Sequence, residues 1–352
     1  MPSSPELARP KATVLGALVE GWRRVLAAPG IAAGMLLATL LVALPLSIVV
    51  GRSIESHLGD SIESGQLVAG WDAGWAAEFA AQAEGIARTF TYEILGFGGL
   101  LSTLSRLLDQ KGPSGQTGIV DPALLGAIAL YGALWVFLAG GLLDRFARGR
   151  AVGASAFFSA CGVHFFRFLR LGLVIGFAYW ALFRWLHPLL FTSLYDRLTR
   201  DLTVEHYALA IRALLYFVFM AALALVNVIA DIAKVRIVVE DRRSALSALG
   251  AALRFIRRRA GRVIALYLVN VIALLIVGRL WMQVTPSAAT PDWLAFLAAQ
   301  AYLLARIWAR LAFMASEVVF FQGELAHAQY TARPLVRWPD SPSVEGIRNL
   351  GA

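Results

Sequence analysis

Arg306, Arg310 and Glu317 interrupt a stretch that is otherwise apolar from 293 to 321. On a helix the two arginines stand one turn apart, and Glu317 follows two turns further along the Arg310 face. Ionisable groups inside a bilayer are costly to desolvate, so by default they mark functional positions. Asn227 and Asp231, which share a helical face, and Asn270 fall inside other apolar runs. Two kinds of chemistry fit this set. Facing a bundle interior, the guanidinium pair would hold an anion or lipid headgroup in a polar cavity. Alternatively, the same groups form interhelical hydrogen bonds or snorkel, and so fix packing. The sequence leaves both open.

Catalysis is harder to build. The apolar runs hold no paired catalytic carboxylates, no HExxH, and no serine or cysteine beside a plausible base. The one cysteine, Cys161, cannot form an intramolecular disulfide or a cysteine metal site. His57, His164, His187, His206 and His327 show no ligand spacing. The expectation is a protein without cofactor or metal and without enzymatic activity: a scaffold, an assembly factor or an accessory subunit. The alternative is a transporter or lipid-handling protein with its cavity near Arg306 and Arg310.

The elements that carry these residues follow from composition. Of 352 residues 59% are hydrophobic and 16% charged, with a mean hydropathy of +0.66. Soluble domains carry about 25% charged residues, so the expected fold is an all-α, polytopic membrane helix bundle. Roughly 20 apolar residues cross a bilayer as a helix. Six runs qualify: 31–50, 121–143, 169–192, 207–230, 262–282 and 293–321. The third is interrupted by Arg184, His187 and Pro188, which predicts an irregular end. The first run is long for a signal-peptide core and reads as a retained span.

Net charge is +9. The arginines stand beside apolar runs, which points to membrane topology and anionic lipid rather than nucleic acid. Arg9, Lys11, Arg23 and Arg24 precede the first span; Arg145, Arg148, Arg150 and Arg167 lie between the second and third. Nine Lys or Arg, from Lys234 to Arg262, lie between the fourth and fifth. The segment 51–120 instead sets four basic residues against eight acids. Basic loops stay in the cytoplasm, so the expectation is a bacterial inner-membrane protein with both termini cytoplasmic, including the tail 323–352. Segment 51–120 becomes an external insert with two short helices, one at 76–84 and one near Leu100–Leu108.

Each outward span is preceded by an apolar stripe at spacing 3,4,3: Leu15, Leu18, Trp22, Val25; Phe158, Cys161, Phe165, Phe168; Leu246, Leu249, Leu253, Ile256. Such stripes predict interfacial amphipathic helices, the first over 12–28, with Arg23, Arg24, Arg167, Arg254, Arg257 and Arg258 near anionic lipid phosphates. Each inward span ends near an acid: Asp144, Asp231 and Glu317. The first two have a base one turn on, Arg148 and Lys234, close enough to pair. The layout is therefore three hairpin units, each an interfacial helix followed by a span out and a span in. Gly140 and Gly141 predict a close helix approach. A protein partner or a second copy of the chain is the remaining candidate ligand, beside the lipid bilayer.

The run Val238-Val239-Glu240-Asp241-Arg242-Arg243-Ser244, continuing through Leu253-Arg254-Phe255-Ile256, carries a resemblance. It resembles the membrane domain attached to glycerophosphodiester phosphodiesterases and found in uncharacterised bacterial six-span proteins. In that pattern an acid after an apolar run opens a basic amphipathic helix that leads into the next span. The resemblance covers about 240–280, and 145–190 loosely. It implies an all-helical membrane domain, not the phosphodiesterase activity, because the chain has no room for the catalytic barrel.

Overall fold

The computed structural model describes residues 13–60, 72–90, 122–202, 204–286 and 290–324, and every regular element among them is helical. Helix α1 is Val14–Leu26, opened by Thr13, whose hydroxyl accepts from the Gly16 N–H at 3.0 Å. Long helices follow: α2, Pro29–Asp60; α4, Pro122–Arg148; α5, Ala154–Ala181; α6, Glu205–Val239; α8, Ala260–Val284; and α9, Asp292–Glu324. Two shorter helices lie among the described residues, α3 at Ala73–Gln82 and α7 at Ala245–Arg258.

Among the described residues five helices, α2, α4, α5, α6 and α8, are long and apolar enough to cross a membrane. Helix α9 is as long as these, at 33 residues, but carries Arg306, Arg310 and Glu317. The long helices overrun the predicted spans; α2 continues through Arg52, Glu55 and His57 to Asp60. Beyond Ala181, helix α5 widens at Leu182–Leu186 and Leu189–Leu194 and runs on to Thr199. The widened turns flank Pro188, which has no N–H to give the helix ladder. The predicted irregular end is therefore present without a break in the chain's direction.

Predicted and observed elements differ at the second amphipathic stripe. Phe158 to Phe168 belong to the same unbroken helix as the apolar run that follows. No proline, glycine or capping side chain separates them. Only α1 and α7 are separate elements, divided from the next helix at Ala27-Ala28 and at Arg259. In the insert, α3 and the turn Gly85–Thr89 pack Trp75, Phe79, Ala83 and Ala87 against Ile54 and Leu58 of α2. The predicted helix near Leu100–Leu108 and the tail beyond Glu324 lie outside the described residues.

The core gathers at one end of the bundle, around the last turns of α9. Ala315, Ser316, Val318, Phe320 and Phe321 are fully enclosed, with α1, α4, α6 and α8 packed around the helix. Gly141 serves the neighbouring contact between α4 and α5: a Cβ there would lie 2.6 Å from the Cys161 sulfur. A smaller cluster, Phe183, Leu190, Leu215, Phe219 and Leu223, joins the widened end of α5 to α6, but much of the remaining helix surface is bare. Leu37, Leu41, Leu173, Leu209 and Phe217 are all about 70% exposed. Each would cost about 1.5–3 kcal/mol to leave in water, and such faces suit hydrocarbon.

Candidate functional site

Helices α6, α8 and α9 cross where three polar residues meet. Tyr267 of α8 lies with its hydroxyl 2.5 Å from Glu317 Oε1 of α9 and 3.1 Å from Asp231 Oδ2 of α6. The other oxygen of Asp231 pairs with Lys234, one turn along the same helix. Glu317 is enclosed, with 2% of its surface accessible. One turn from Tyr267 on the same face, Asn270 donates to the Leu266 carbonyl at 2.9 Å and to Ser316 Oγ at 3.2 Å. Ser316 in turn donates to the Phe313 carbonyl at 2.7 Å. The Phe313 ring stands edge-on to Tyr267, with centroids 4.7 Å apart.

Of the six residues predicted to form an intramembrane site, the structure joins three. Asp231 and Glu317 meet through Tyr267, and Asn270 sits beside them through Ser316. Arg306 and Arg310 make no direct bond to this cluster, though Arg310 stands within electrostatic reach of Asp231. The Arg310 guanidinium stacks 3.8 Å from the centroid of the Trp135 ring of α4, and Arg306 lies 5.6 Å from that of Tyr302. Both are exposed on the side of the bundle, as is Asn227. Sequence reasoning missed Tyr267 and Ser316. The available signal was Tyr267 itself, three positions before Asn270 in an apolar run.

A second polar assembly closes the core end. Arg24 of α1 donates to the Phe146 carbonyl at 2.5 Å and to Gln322 at 3.3 Å, and Gln322 donates to the Ala147 carbonyl at 3.0 Å. Glu20 accepts from Arg23 at 2.7 Å and from Arg24 at 2.9 Å. The bond from Arg23, against the opposing effect of burial, holds the Glu20 carboxyl below its usual range. Arg259 and Arg262 both pair with Glu324, the last described residue of α9. Arg236 grips Glu240 with two nitrogens and donates to the Ala251 carbonyl at 3.1 Å, tying α6 to α7. Asp241 reaches Arg167 from a left-handed backbone position, φ 48°, which aspartate tolerates better than most residues. The predicted one-turn pairs are both present, Asp144 with Arg148 at 2.8 Å and Asp231 with Lys234.

These partners redistribute the six arginines expected at lipid phosphates. Arg254, Arg257 and Arg258 are exposed on α7. Arg23 is exposed but bonded to Glu20, Arg167 is paired with Asp241, and Arg24 points into the protein with 12% of its side chain accessible. Among the described residues no group of three His, Cys, Asp or Glu could hold a metal ion. Comparison with family models, curated proteins and solved structures returns no match for this chain.

Proposed function

We propose that this chain is a six-span inner-membrane protein, built of three hairpin units, that serves as a non-enzymatic scaffold or assembly factor. The observation that carries the reading is the enclosure of the last turns of α9, where Ser316, Glu317, Gln322 and Glu324 are all buried and all bonded to other helices. A centre so tied fixes the positions of the surrounding helices and leaves its polar groups committed to one another.

The orientation belongs to the same proposal. Arg24, Arg148, Arg167, Arg236 and Arg259 come from all three basic loops and gather at the core end, which the positive-inside rule places in the cytoplasm. Helices α1 and α7 lie there as interfacial helices on the anionic leaflet. The resemblance around Glu240–Ile256 supports this layout, since Glu240 and Asp241 anchor the start of the basic helix.

The test is native mass spectrometry of the full-length protein extracted in mild detergent. A scaffold retains a protein partner or a second copy of itself. Substrate flux in liposomes that is lost in Arg306→Ala overturns the reading in favour of transport. A lipid-handling role is the second reading. It is supported by Arg310, a cation stacked on Trp135 on the side of the bundle.

A further inference from the structure

The crossing of α6, α8 and α9 contains more hydrogen-bond contacts than its obvious protons can fill. Glu317, Tyr267 and Asp231 form a chain of three oxygen groups joined by two contacts, at 2.5 and 3.1 Å. An ionised carboxylate only accepts, and a tyrosine hydroxyl has one proton to donate. With both acids ionised, one hydroxyl proton would have to serve two carboxylates in an enclosed site. The second contact therefore needs a proton carried by one of the acids.

Lys234 decides which acid carries it. Its ammonium pairs with the free oxygen of Asp231, so Asp231 keeps a stabilised negative charge. Glu317 makes no ion pair among the described residues, and Lys234 reaches it only from its bond to Asp231. The Glu317 carboxyl is enclosed, and Tyr267 is its one hydrogen-bond partner among the described residues. A buried carboxylate without a directly paired counter-charge is far more costly than the neutral acid.

We propose that Glu317 is an internal proton-binding site, with Tyr267 the relay to the Asp231–Lys234 pair. The resting arrangement is a Glu317 carboxylic acid donating to the Tyr267 oxygen, and the Tyr267 hydroxyl donating to the Asp231 carboxylate. Release is a two-step shift. The Glu317 O–H breaks as a new O–H forms on Tyr267, and the original Tyr267 O–H breaks as one forms on Asp231. Tyrosine ends neutral, Glu317 ends as a carboxylate, and Asp231 holds the proton beside Lys234, whose side chain is 32% accessible. From there the proton passes to water. Loss of that proton leaves two carboxylates on one tyrosine hydroxyl, only Asp231 of them ion-paired, which loosens the contact between the three helices.

Of the other charges nearby, Arg310 of α9 stacks on Trp135 and stands within electrostatic reach of Asp231, which further favours the ionised aspartate. Those on the helices packed against α9 have partners of their own or lie apart. On α1, Glu20 holds Arg23 and Arg24; on α4, Asp144 holds Arg148, while Arg145 lies on the Arg24 side. The first charged residue of α2 is Arg52, far along that helix. Tyr179 of α5 also lies near Asp231.

Infrared spectroscopy of the full-length protein in lipid nanodiscs at neutral pH reads the proton directly. The expected result is a carbonyl band of a protonated carboxylic acid that is lost in Glu317→Gln and kept in Asp231→Asn. If Glu317→Gln fails to fold, glutamate labelled with ¹³C at the side-chain carboxyl shifts the band in the wild-type protein, and aspartate labelled in the same way leaves it in place. Transfer to D₂O tests the relay: the isotope shift of the band slows several-fold in Tyr267→Phe. A spectrum without a glutamate-sensitive acid band, or a band lost in Asp231→Asn instead, overturns the site. An unchanged exchange rate in Tyr267→Phe overturns the relay.

Discussion

Gly21 of α1 rests directly on the backbone of Ser316 in α9: a Cβ added to Gly21 would lie 2.7 Å from the Ser316 nitrogen and 2.8 Å from its Cα. Small residues at helix crossings let backbones approach this closely. The contact places α1 against the most enclosed segment of the molecule, with Ala17 and Val25 buried on the same face.

Gly21→Ala should therefore force α1 away from α9, because the obstructing atoms are backbone and cannot rotate aside. Overpacking of this kind costs about 1–3 kcal/mol. Gly30→Ala is the control, since nothing lies within 4 Å of a Cβ at that position in α2. Thermal unfolding in detergent should fall clearly for Gly21→Ala and stay level or rise for Gly30→Ala. Equal behaviour of the two variants would mean that α1 does not dock as described.

Helix α7 makes a different prediction. It buries Ala245, Ala248, Ala251 and Ala252 and leaves Leu246 69% and Leu253 43% exposed, on a helix that also exposes Arg254, Arg257 and Arg258. Leu246 facing water makes Leu246→Asp nearly neutral. With α7 lying in the interface, the same substitution costs burial of a leucine, about 1.5–3 kcal/mol. Stability in nanodiscs of anionic lipid should drop for Leu246→Asp, and by more than for Ser247→Asp one position along. No difference between the two would remove α7 from the membrane surface.

The second, protein-facing side of α7 shows where the sequence stopped being readable. The 3,4,3 stripe points to a face laid on the membrane, and Leu246 and Leu253 are exposed accordingly, but Ile256 of that stripe turns inward beside Phe255 and four alanines, because a close crossing favours small side chains. In α1 the predicted stripe is split in the same way: Leu18 and Val25 are buried, and Leu15 is 64% exposed. Pairs within one helical turn, such as Asp144 with Arg148, were legible because helix geometry alone sets their distance. Tyr267 joins residues 36 and 50 positions away, and that depends on the register between helices, which periodicity does not encode. The inward turn of Arg24 escaped for the same reason, since its acceptors, Phe146 and Gln322, lie on α4 and α9.

Glu20 gives the structure a measurable response to acid. Its carboxyl binds Arg23 and Arg24, and Arg24 in turn holds the Phe146 carbonyl and Gln322. Its proton affinity in the folded protein is lowered, chiefly by the Arg23 hydrogen bond. A carboxyl depressed on folding contributes stability that is fully present above the unfolded value, about 4.3, and is lost as pH falls through the folded value. Glu20→Gln should therefore be less stable than the wild type at neutral pH, with the gap closing as the solution is acidified below that range. Arg23 is highly exposed, so salt screens part of the effect, and raising ionic strength should narrow the gap at neutral pH as well. Unfolding midpoints of the two proteins followed across the acid range check the sign. A gap that stays constant with pH would show that Glu20 acts through packing alone and not through its charge.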